Sequence, residues 1–293
     1  MTESQPLLFE HFDHVGLAVR DMEEAARRVE RVLGLTAAVT RESQEDGIRV
    51  ALVPLRTGRL ALMQPMANDS ELSGFLEERG EGMHHVSFRV ADVVHARAEI
   101  AARGGVFPDA APRPRVTGLS DLVSPESTGG VPVEFEETTL FTPGTSRDIG
   151  LHHVTIRTWD AGAASAAWQR LFRMPLKRRA VSEGYAMDTA WLDAGDAEVE
   201  FAQQLNDTGP VARALKLMGE GLHAVVLESD DPAAVEERAR SAGARVIVDD
   251  GDPHNVLRAI HPLDFLGTLV LIAQRDAAHA GMSRTGPANQ DAH

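Results

Sequence analysis

The chain has 293 residues and a formal net charge of -15, with 44 acidic side chains against 29 lysines and arginines. Such a charge argues against nucleic acid as a partner, because phosphates require a basic surface. No apolar run of about 18 residues could span a membrane, and the first residues lack the basic start and apolar core of a signal peptide, so we expect a cytoplasmic protein. With no cysteine in the chain, a bound metal could have only His, Asp, Glu or water as ligands.

The first predicted strand follows an N-terminal extension of residues 1–10 and carries Asp13-His14-Val15-Gly16. Asp21 then stands where the N-cap of a helix is expected, and helical spacing of apolar residues continues to Leu33. Alternating apolar runs over residues 35–40, 48–55 and 60–66 predict three more strands. The first quarter of the chain is therefore predicted to be a βαβββ unit.

The same order of elements recurs in the other three quarters. Each begins with a strand that leads into an amphipathic helix and then into further strands. The predicted segments are strand 85–90, helix 93–103 and strands 119–124 and 131–136; strand 151–158, helix 161–171 and strands 185–192 and 198–203; and strand 222–228, helix 232–242 and strands 256–260 and 268–272. A Gly-Glu-Gly turn is expected before the second and fourth quarters.

A fixed offset of 139 residues relates the two halves of the chain. It takes His14 to His153, Gln64 to Gln203 and His84 to His223, and it superimposes two Gly-Glu-Gly triplets. A period kept over so many positions indicates two homologous halves, each of them doubled. We expect one domain over residues 11–137, a linker over 138–150, a diverged second copy over 151–274 and a polar, disordered tail over 275–293.

Four motifs of the first half carry a resemblance to a known family. They are Asp13-His14-Val15-Gly16, Glu45-Asp46-Gly47-Ile48-Arg49-Val50-Ala51, Gly80-Glu81-Gly82-Met83-His84-His85 and Ser127-Thr128-Gly129-Gly130-Val131-Pro132-Val133-Glu134. The chain resembles the vicinal oxygen chelate superfamily, which includes glyoxalases, bleomycin resistance proteins and extradiol dioxygenases, and its first half is most similar to methylmalonyl-CoA epimerases. The resemblance implies an α+β fold, in which the four tandem βαβββ units form two glyoxalase-like domains with curved mixed sheets that enclose a metal cleft.

The resemblance also implies one divalent metal ion on four strand side chains. Carried over position by position, these ligands fall on His14, Ala61, His85 and Glu134. Ala61 cannot bind a metal, and strand alternation places the nearby Gln64 on the opposite face. The remaining two imidazoles and one carboxylate suit a non-haem Fe(II) ion with open positions, and would equally hold Zn, Co, Mn or Ni with more bound water.

A second arrangement of the site stays open at this point. In the second half the same four positions are His153, Glu200, Ala224 and Leu271, so that half alone lacks two ligands. Some relatives pair a unit of one half with a unit of the other, which here would combine His85 and Glu134 with His153 and Glu200, a set that resembles glyoxalase I. The neighbouring His84, His152 and His223 are expected to point the other way.

The resemblance implies an isomerase or epimerase that moves a proton alpha to a carbonyl through a chelated enolate, with Glu134 as ligand and candidate base. Two departures bear on this reaction. The position of the epimerase base is Val50, which cannot take a proton, and the segment suited to coenzyme A phosphates carries Asp121 and Glu126. Arg113 and Arg115 are the candidate substrate-binding residues.

Two other functions remain open from the sequence. A two-histidine, one-glutamate site would serve an Fe(II) dioxygenase of catechols or 2-oxo acids. The loss of one ligand and of the base would instead suit a protein that sequesters a drug or metabolite without catalysis. Either way the expected partner is a small molecule with two neighbouring oxygens, and both a monomer and a homodimer are compatible with the sequence.

Overall fold

The computed structural model describes residues 7–44, 46–68, 70–138, 148–183, 185–249 and 256–275. Most of the expected linker, residues 139–147, and all but the first residue of the expected tail lie outside the described residues. The same is true of the first six residues of the expected N-terminal extension. In the described part of the chain, no helix is both long enough and apolar enough to cross a membrane.

One mixed sheet is built from the first half of the chain. Its order is β2-β3-β4-β1-β5-β8-β7-β6, and the two quarters meet where β1 pairs antiparallel with β5. Its strands are β1 (His11–Ala18), β2 (Val39–Ser43), β3 (Ile48–Pro54), β4 (Arg59–Pro65), β5 (Gly82–Arg89), β6 (Arg113–Pro114), β7 (Gly118–Val123) and β8 (Val133–Thr138). The helices of this half are α1 (Met22–Leu33), α2 (Glu71–Arg79) and α3 (Val93–Ala102).

The second half repeats this sheet strand for strand. The order is β10-β11-β12-β9-β13-β16-β15-β14, with β9 and β13 as the central antiparallel pair. Its strands are β9 (Gly150–Arg157), β10 (Leu176–Ser182), β11 (Met187–Asp193), β12 (Glu198–Gln204), β13 (Gly221–Ser229), β14 (Val246–Asp249), β15 (Leu257–Ile260) and β16 (Val270–Gln274). Its helices are α4 (Ala161–Phe172), α5 (Pro210–Met218) and α6 (Pro232–Ser241).

The α+β class and the two curled mixed sheets predicted from the sequence are confirmed. Each sheet takes all its strands from one half, so the quarters pair within halves and not across them. The helices α2 and α5, which precede the two Gly-Glu-Gly triplets, were not predicted. Each has only nine residues, too few turns for a clear apolar period.

Helix α1 shows how local sequence sets the elements. The side chain of Asp21 accepts a hydrogen bond from the backbone N–H of Glu24, which caps the first turn. Gly34 ends the helix in the left-handed conformation, with a φ of 72°. One face of the helix is buried, and it carries Met22, Ala25, Val29, Val32 and Leu33.

The two halves share one hydrophobic core. Trp168 of α4 packs edge-on against Phe88 of β5 at 6.4 Å between ring centres, and its indole N–H donates to the carbonyl of Thr128 at 3.0 Å. The Gly-Glu-Gly turns also bring the halves together. A Cβ on Gly130 would lie 2.4 Å from the carbonyl oxygen of Glu220, and one on Gly267 would lie 1.7 Å from that of Glu81, so only glycine allows this approach.

Candidate metal centre

Strands of the first sheet supply three side chains that meet in one cavity of about 120 Å³. His14 comes from β1, His85 from β5 and Glu134 from β8. The Nε2 atoms of His14 and His85 are 3.1 Å apart. Oε2 of Glu134 lies 3.6 Å from Nε2 of His14 and 3.4 Å from Nε2 of His85. Ligands about 2.1 Å from a metal are separated by roughly 3 to 3.5 Å, so the three atoms fit one divalent ion.

A glycine opposite His85 makes room for its imidazole. Gly16 and His85 are direct partners in the β1/β5 pair. A Cβ at Gly16 would lie 2.3 Å from Cε1 of His85 and 2.5 Å from its Nδ1. Any other residue at this position would therefore displace the ring from its place beside His14.

A β-bulge supplies the residue that orients His14. The β1/β5 register shifts between Phe12 and His14, so Asp13 is the extra residue, and its Oδ1 lies 2.7 Å from Nδ1 of His14. The guanidinium of Arg59 contacts the same carboxylate. A carboxylate on Nδ1 holds the imidazole with Nε2 free to act as a ligand.

This second layer continues into a buried carboxyl group. Glu136 is fully buried, accepts a hydrogen bond from the Thr117 hydroxyl and lies 3.5 Å from Arg59. Burial, together with the charges of Asp13 and Glu134, raises the pKa of Glu136 to about 8. The network of Asp13, Arg59, Glu136 and Thr117 supports His14 from behind, and sequence reasoning did not identify it.

The protonation states of two of the three side chains, Glu134 and His85, suit a metal site. Burial alone would raise the pKa of Glu134, but hydrogen bonding to His85 and the charges of His85 and His14 lower it to about 2. Burial lowers the pKa of His85. Around neutral pH the site therefore offers an ionised carboxylate and a neutral imidazole, the forms that bind metals. Burial also opposes protonation of His14, but the hydrogen bond to Asp13 and the charges of Asp13, Glu136 and Glu134 together outweigh it and raise the pKa.

His84 does not point away from the site, so that expectation is wrong. A second register shift in the β1/β5 pair, between Gly16 and Leu17, leaves His84 as a bulge residue. It lines the cavity, and its Nδ1 lies 3.1 Å from that of His85. Simple alternation assigned it to the other face because the bulge is not visible in the sequence.

The rest of the cavity wall combines apolar and charged side chains. Ala61 and Val50 lie in it, as does Arg115, one of the two predicted substrate-binding arginines. Arg115 forms an ion pair of 2.8 Å with Asp46, a cavity residue quoted in the second motif but not selected as functional. The other predicted arginine, Arg113, pairs instead with Asp109 at 2.8 Å and is absent from the lining.

Gln64 has a structural task, in line with its expected direction away from Ala61. Its side-chain oxygen accepts a hydrogen bond from the backbone N–H of Met22 at 2.9 Å. The side-chain oxygen of Gln203 likewise accepts a hydrogen bond from the backbone N–H of Ala161 at 3.1 Å. The glutamine repeated at the 139-residue offset therefore ties the first helix of each half to its sheet.

In the second half, only two of the four expected ligand positions carry a side chain that can bind a metal. Nε2 of His153 lies 3.5 Å from Oε2 of Glu200, while Ala224 and Leu271 occupy the other two strands. The ring of Trp191 lies 4.6 Å from that of His153 and helps to fill this cleft. Within the described residues, no group of three metal-ligating side chains includes His153 or Glu200.

The structure does not bring together the set proposed across the halves. His85 and Glu134 belong to the first sheet, and His153 and Glu200 belong to the second. The His14, His85 and Glu134 set does come together. The pairing of β1 with β5 within one half is the reason, because it places both histidines on adjacent strands.

Residues 13–119 and 152–258 each match the Glyoxalase/Bleomycin resistance protein/Dioxygenase superfamily, and the chain belongs to this superfamily. Its first half is similar to the ethylmalonyl-CoA/methylmalonyl-CoA epimerase of Cereibacter sphaeroides, with 29% identity over 128 residues, which are 43% of this chain and 96% of that protein. The uncharacterized protein YqjC of Bacillus subtilis is 31% identical over 126 residues, 43% of this chain and 90% of that protein.

A solved structure matches the chain over nearly its whole length. It is a mutant form of 4-hydroxymandelate synthase from Streptomyces coelicolor, with a TM-score of 0.74 and 16% identity, and the match covers 94% of this chain and 96% of that one. At this identity the likeness shows the fold alone. It agrees with the tandem arrangement of two sheets described above.

Proposed function

We propose that the protein is a divalent-metal-dependent isomerase or epimerase that moves a proton alpha to a carbonyl of a small substrate with two neighbouring oxygens. The observation that carries this proposal is the meeting of His14, His85 and Glu134 in one cavity, with the atoms of each pair 3.1 to 3.6 Å apart. Bound there, a divalent ion would supply a Lewis acid for the two substrate oxygens. The absence of a ligand at Ala61 leaves room for both.

The residues of the cavity divide the remaining work. Oε2 of Glu134 faces the two histidines, whereas its Oε1 accepts a hydrogen bond from the Ser120 hydroxyl at 2.9 Å. We assign Glu134 as the group that accepts and returns the substrate proton. Val50, which lines the cavity, offers no proton acceptor, so an isomerisation in which one group removes and returns the proton is favoured over an epimerisation that needs a base on each face. Arg115 is the proposed contact for a substrate carboxylate.

Metal content is the first test of this proposal. Protein purified without chelator should contain about one divalent ion per chain, and His14→Ala and His85→Ala should each remove it because two remaining ligands hold a metal poorly. His153→Ala is the matched control from the second half and should retain the metal. Equal metal content in all four proteins, measured by elemental mass spectrometry, would contradict the site.

Proton transfer is tested separately with the metal-loaded protein. A panel of 2-oxo acids and 2-substituted 1,3-dicarbonyl compounds is incubated in D₂O, and incorporation at the acidic carbon is followed by NMR. Wild type should exchange that hydrogen and Glu134→Gln should not. Binding of panel compounds without any exchange would favour a sequestering protein instead.

An Fe(II) dioxygenase is the second candidate. The two-histidine, one-glutamate set favours it, since that set leaves coordination positions for a substrate and for oxygen. Protein loaded anaerobically with Fe(II) would then consume oxygen when mixed with a catechol or a 2-oxo acid. An oxygen electrode that records no uptake over the whole panel would eliminate this candidate.

A further inference from the structure

A groove of about 780 Å³ lies between the two halves. The first half contributes α2 and the start of β5, and the second half contributes the end of β9, helix α5 and the start of β13. The groove adjoins the metal cavity, because Glu71 and His84 line both. Nothing in the proposed reaction uses this space.

Arg157, at the end of β9, is the most unusual residue of the groove. It is only 3% exposed, yet among the described residues its guanidinium donates hydrogen bonds only to backbone carbonyls, those of Gly219 and Leu222. Among the described ion pairs within 4.0 Å, none includes it, whereas the equally buried Arg59 has carboxylate partners in Asp13 and Glu136. A buried cation without an anion carries a desolvation cost that a bound anion would offset.

The fold itself does not require an arginine here. The offset of 139 residues places Ala18 at the equivalent position of the first half. Ala18 is fully buried, and it pairs with Gly82 as Arg157 pairs with Gly221. The arginine is thus a feature of one half only, at the position where that half faces the groove.

A second arginine faces the groove from the other half. Arg79, at the end of α2, lines it, and its guanidinium lies 6.0 Å from the centre of the Phe75 ring. No described ion pair includes Arg79 either. Burial, and then the charge of Arg79, lower the pKa of Arg157 to about 10.

Two of the four carboxylates that line the groove accept hydrogen bonds from other groups. Glu81 accepts a hydrogen bond from the backbone N–H of Arg20, and Glu220 accepts from the hydroxyl of Thr158 and the N–H of Trp159. Glu71 and Glu78, which also line the groove, are exposed residues of α2. The arginines therefore remain available to a ligand.

We propose that Arg157 and Arg79 bind a compact oxyanion, the carboxylate or phosphate group of a small molecule, in the groove between the halves. The planar guanidinium donates paired hydrogen bonds that match both groups. The ligand would contact both halves at once and would lie next to the metal cavity. This site is separate from His14, His85 and Glu134, so it stands independently of the proposed reaction.

Calorimetric titration tests the site with two probes, inorganic phosphate and acetate, at constant ionic strength. Wild type should bind one of them saturably, and the tighter probe identifies the anion. Arg79→Gln and Arg157→Met should each raise the Kd at least about tenfold, the loss expected for a charged hydrogen bond. Arg79 is exposed, so its variant remains informative if Arg157→Met does not fold.

Two controls locate the bound anion. Arg213→Gln removes the same charge from α5 without altering a lining residue, and it should bind as wild type does. His14→Ala should also leave the Kd unchanged, which separates this site from any anion bound at the metal. Equal Kd values for wild type and both groove variants, or no saturable binding of either probe, would overturn the proposal.

Discussion

The centres of the two sheets can be compared residue by residue. Across β4, β1 and β5 the first half places Ala61, Gly16 and His85 in one row. Across β12, β9 and β13 the second half places Glu200, Thr155 and Ala224 in the equivalent row. Ala61 and Gly16 thus correspond to larger residues in the second half, whereas His85 corresponds to the smaller Ala224.

The exchange explains why, within the described part of the chain, the candidate metal site lies in the first half. In the first half, Gly16 makes room for the imidazole of His85. In the second half Ala224 stands in place of His85 and leaves room for Thr155, whose hydroxyl donates to Glu200 at 2.7 Å. Leu271 takes the place of Glu134, and Trp191 lies against His153. The same backbone therefore tolerates either a polar cavity or a filled cleft.

The buried charge behind the central row also differs in sign between the two halves. The first half buries Arg59 on β4 between Asp13 and Glu136. The second half has Glu198 at the position of Arg59, paired with Lys177 at 2.6 Å and with Arg178 at 2.9 Å. Both halves pair the buried charge, and in the first half the carboxylate that pairs with Arg59, that of Asp13, also contacts His14.

The largest effect is expected when Gly16, the central residue of the row in the first half, is replaced by its counterpart from the second half. Gly16→Thr copies Thr155 into the first half and should abolish metal binding, because its Cβ would lie 2.3 Å from the His85 ring. We also expect a stability loss of about 1 to 3 kcal/mol from overpacking. Elemental analysis and chemical denaturation measure the two effects. The reciprocal Thr155→Gly should retain the metal, and a metal-loaded Gly16→Thr protein would refute this account.

Removing the carboxylate behind His14 should have a smaller effect. Asp13→Asn keeps the size of the side chain but loses the charge that orients the imidazole, and metal affinity should fall about 10- to 100-fold. Competition with a chromogenic chelator gives the affinity. His152→Asn changes the equivalent bulge residue of the second half and should not alter it. Equal losses in both variants would show that the bulge matters only for folding.

The smallest effect should come from Glu198 in the second half, and it should depend on pH. Burial alone would raise the pKa of Glu198, but the ion pairs with Arg178 and Lys177 lower it to about 2. A carboxyl group with a depressed pKa in the folded protein stabilises the fold at pH values above its unfolded pKa of about 4.3. This stabilisation is lost as the pH falls towards 2. Glu198→Gln should therefore cost about 1 to 2 kcal/mol at pH 7 and progressively less in acid. Urea titrations of wild type and Glu198→Gln at pH 7 and in acid measure the stability cost of the substitution. A cost that does not change with pH would refute the stabilising role of the ionised Glu198.

Much of the fold could be predicted from the repeat and from local patterns. The helix over residues 22–33, the βαβββ order and the superfamily followed from capping residues, apolar periodicity and the four motifs. The bulges at Asp13 and His84 could not be predicted, because an extra residue in a strand shows only against its partner strand. Strand alternation placed Gln64 on the face opposite Ala61, where the β3/β4 register is regular, but it misplaced His84 because of the bulge.

The sequence by itself indicated two homologous halves. Through the family resemblance it offered His14, His85 and Glu134 as one of two candidate metal sets, and it excluded Ala61 as a ligand. Only the tertiary structure decided which quarters pair. All four quarters carry the same apolar pattern, so local sequence does not distinguish pairing within a half from pairing across halves. That choice depends on long-range packing, such as Gly16 against His85 and Gly130 against Glu220, which brings together residues far apart in the chain.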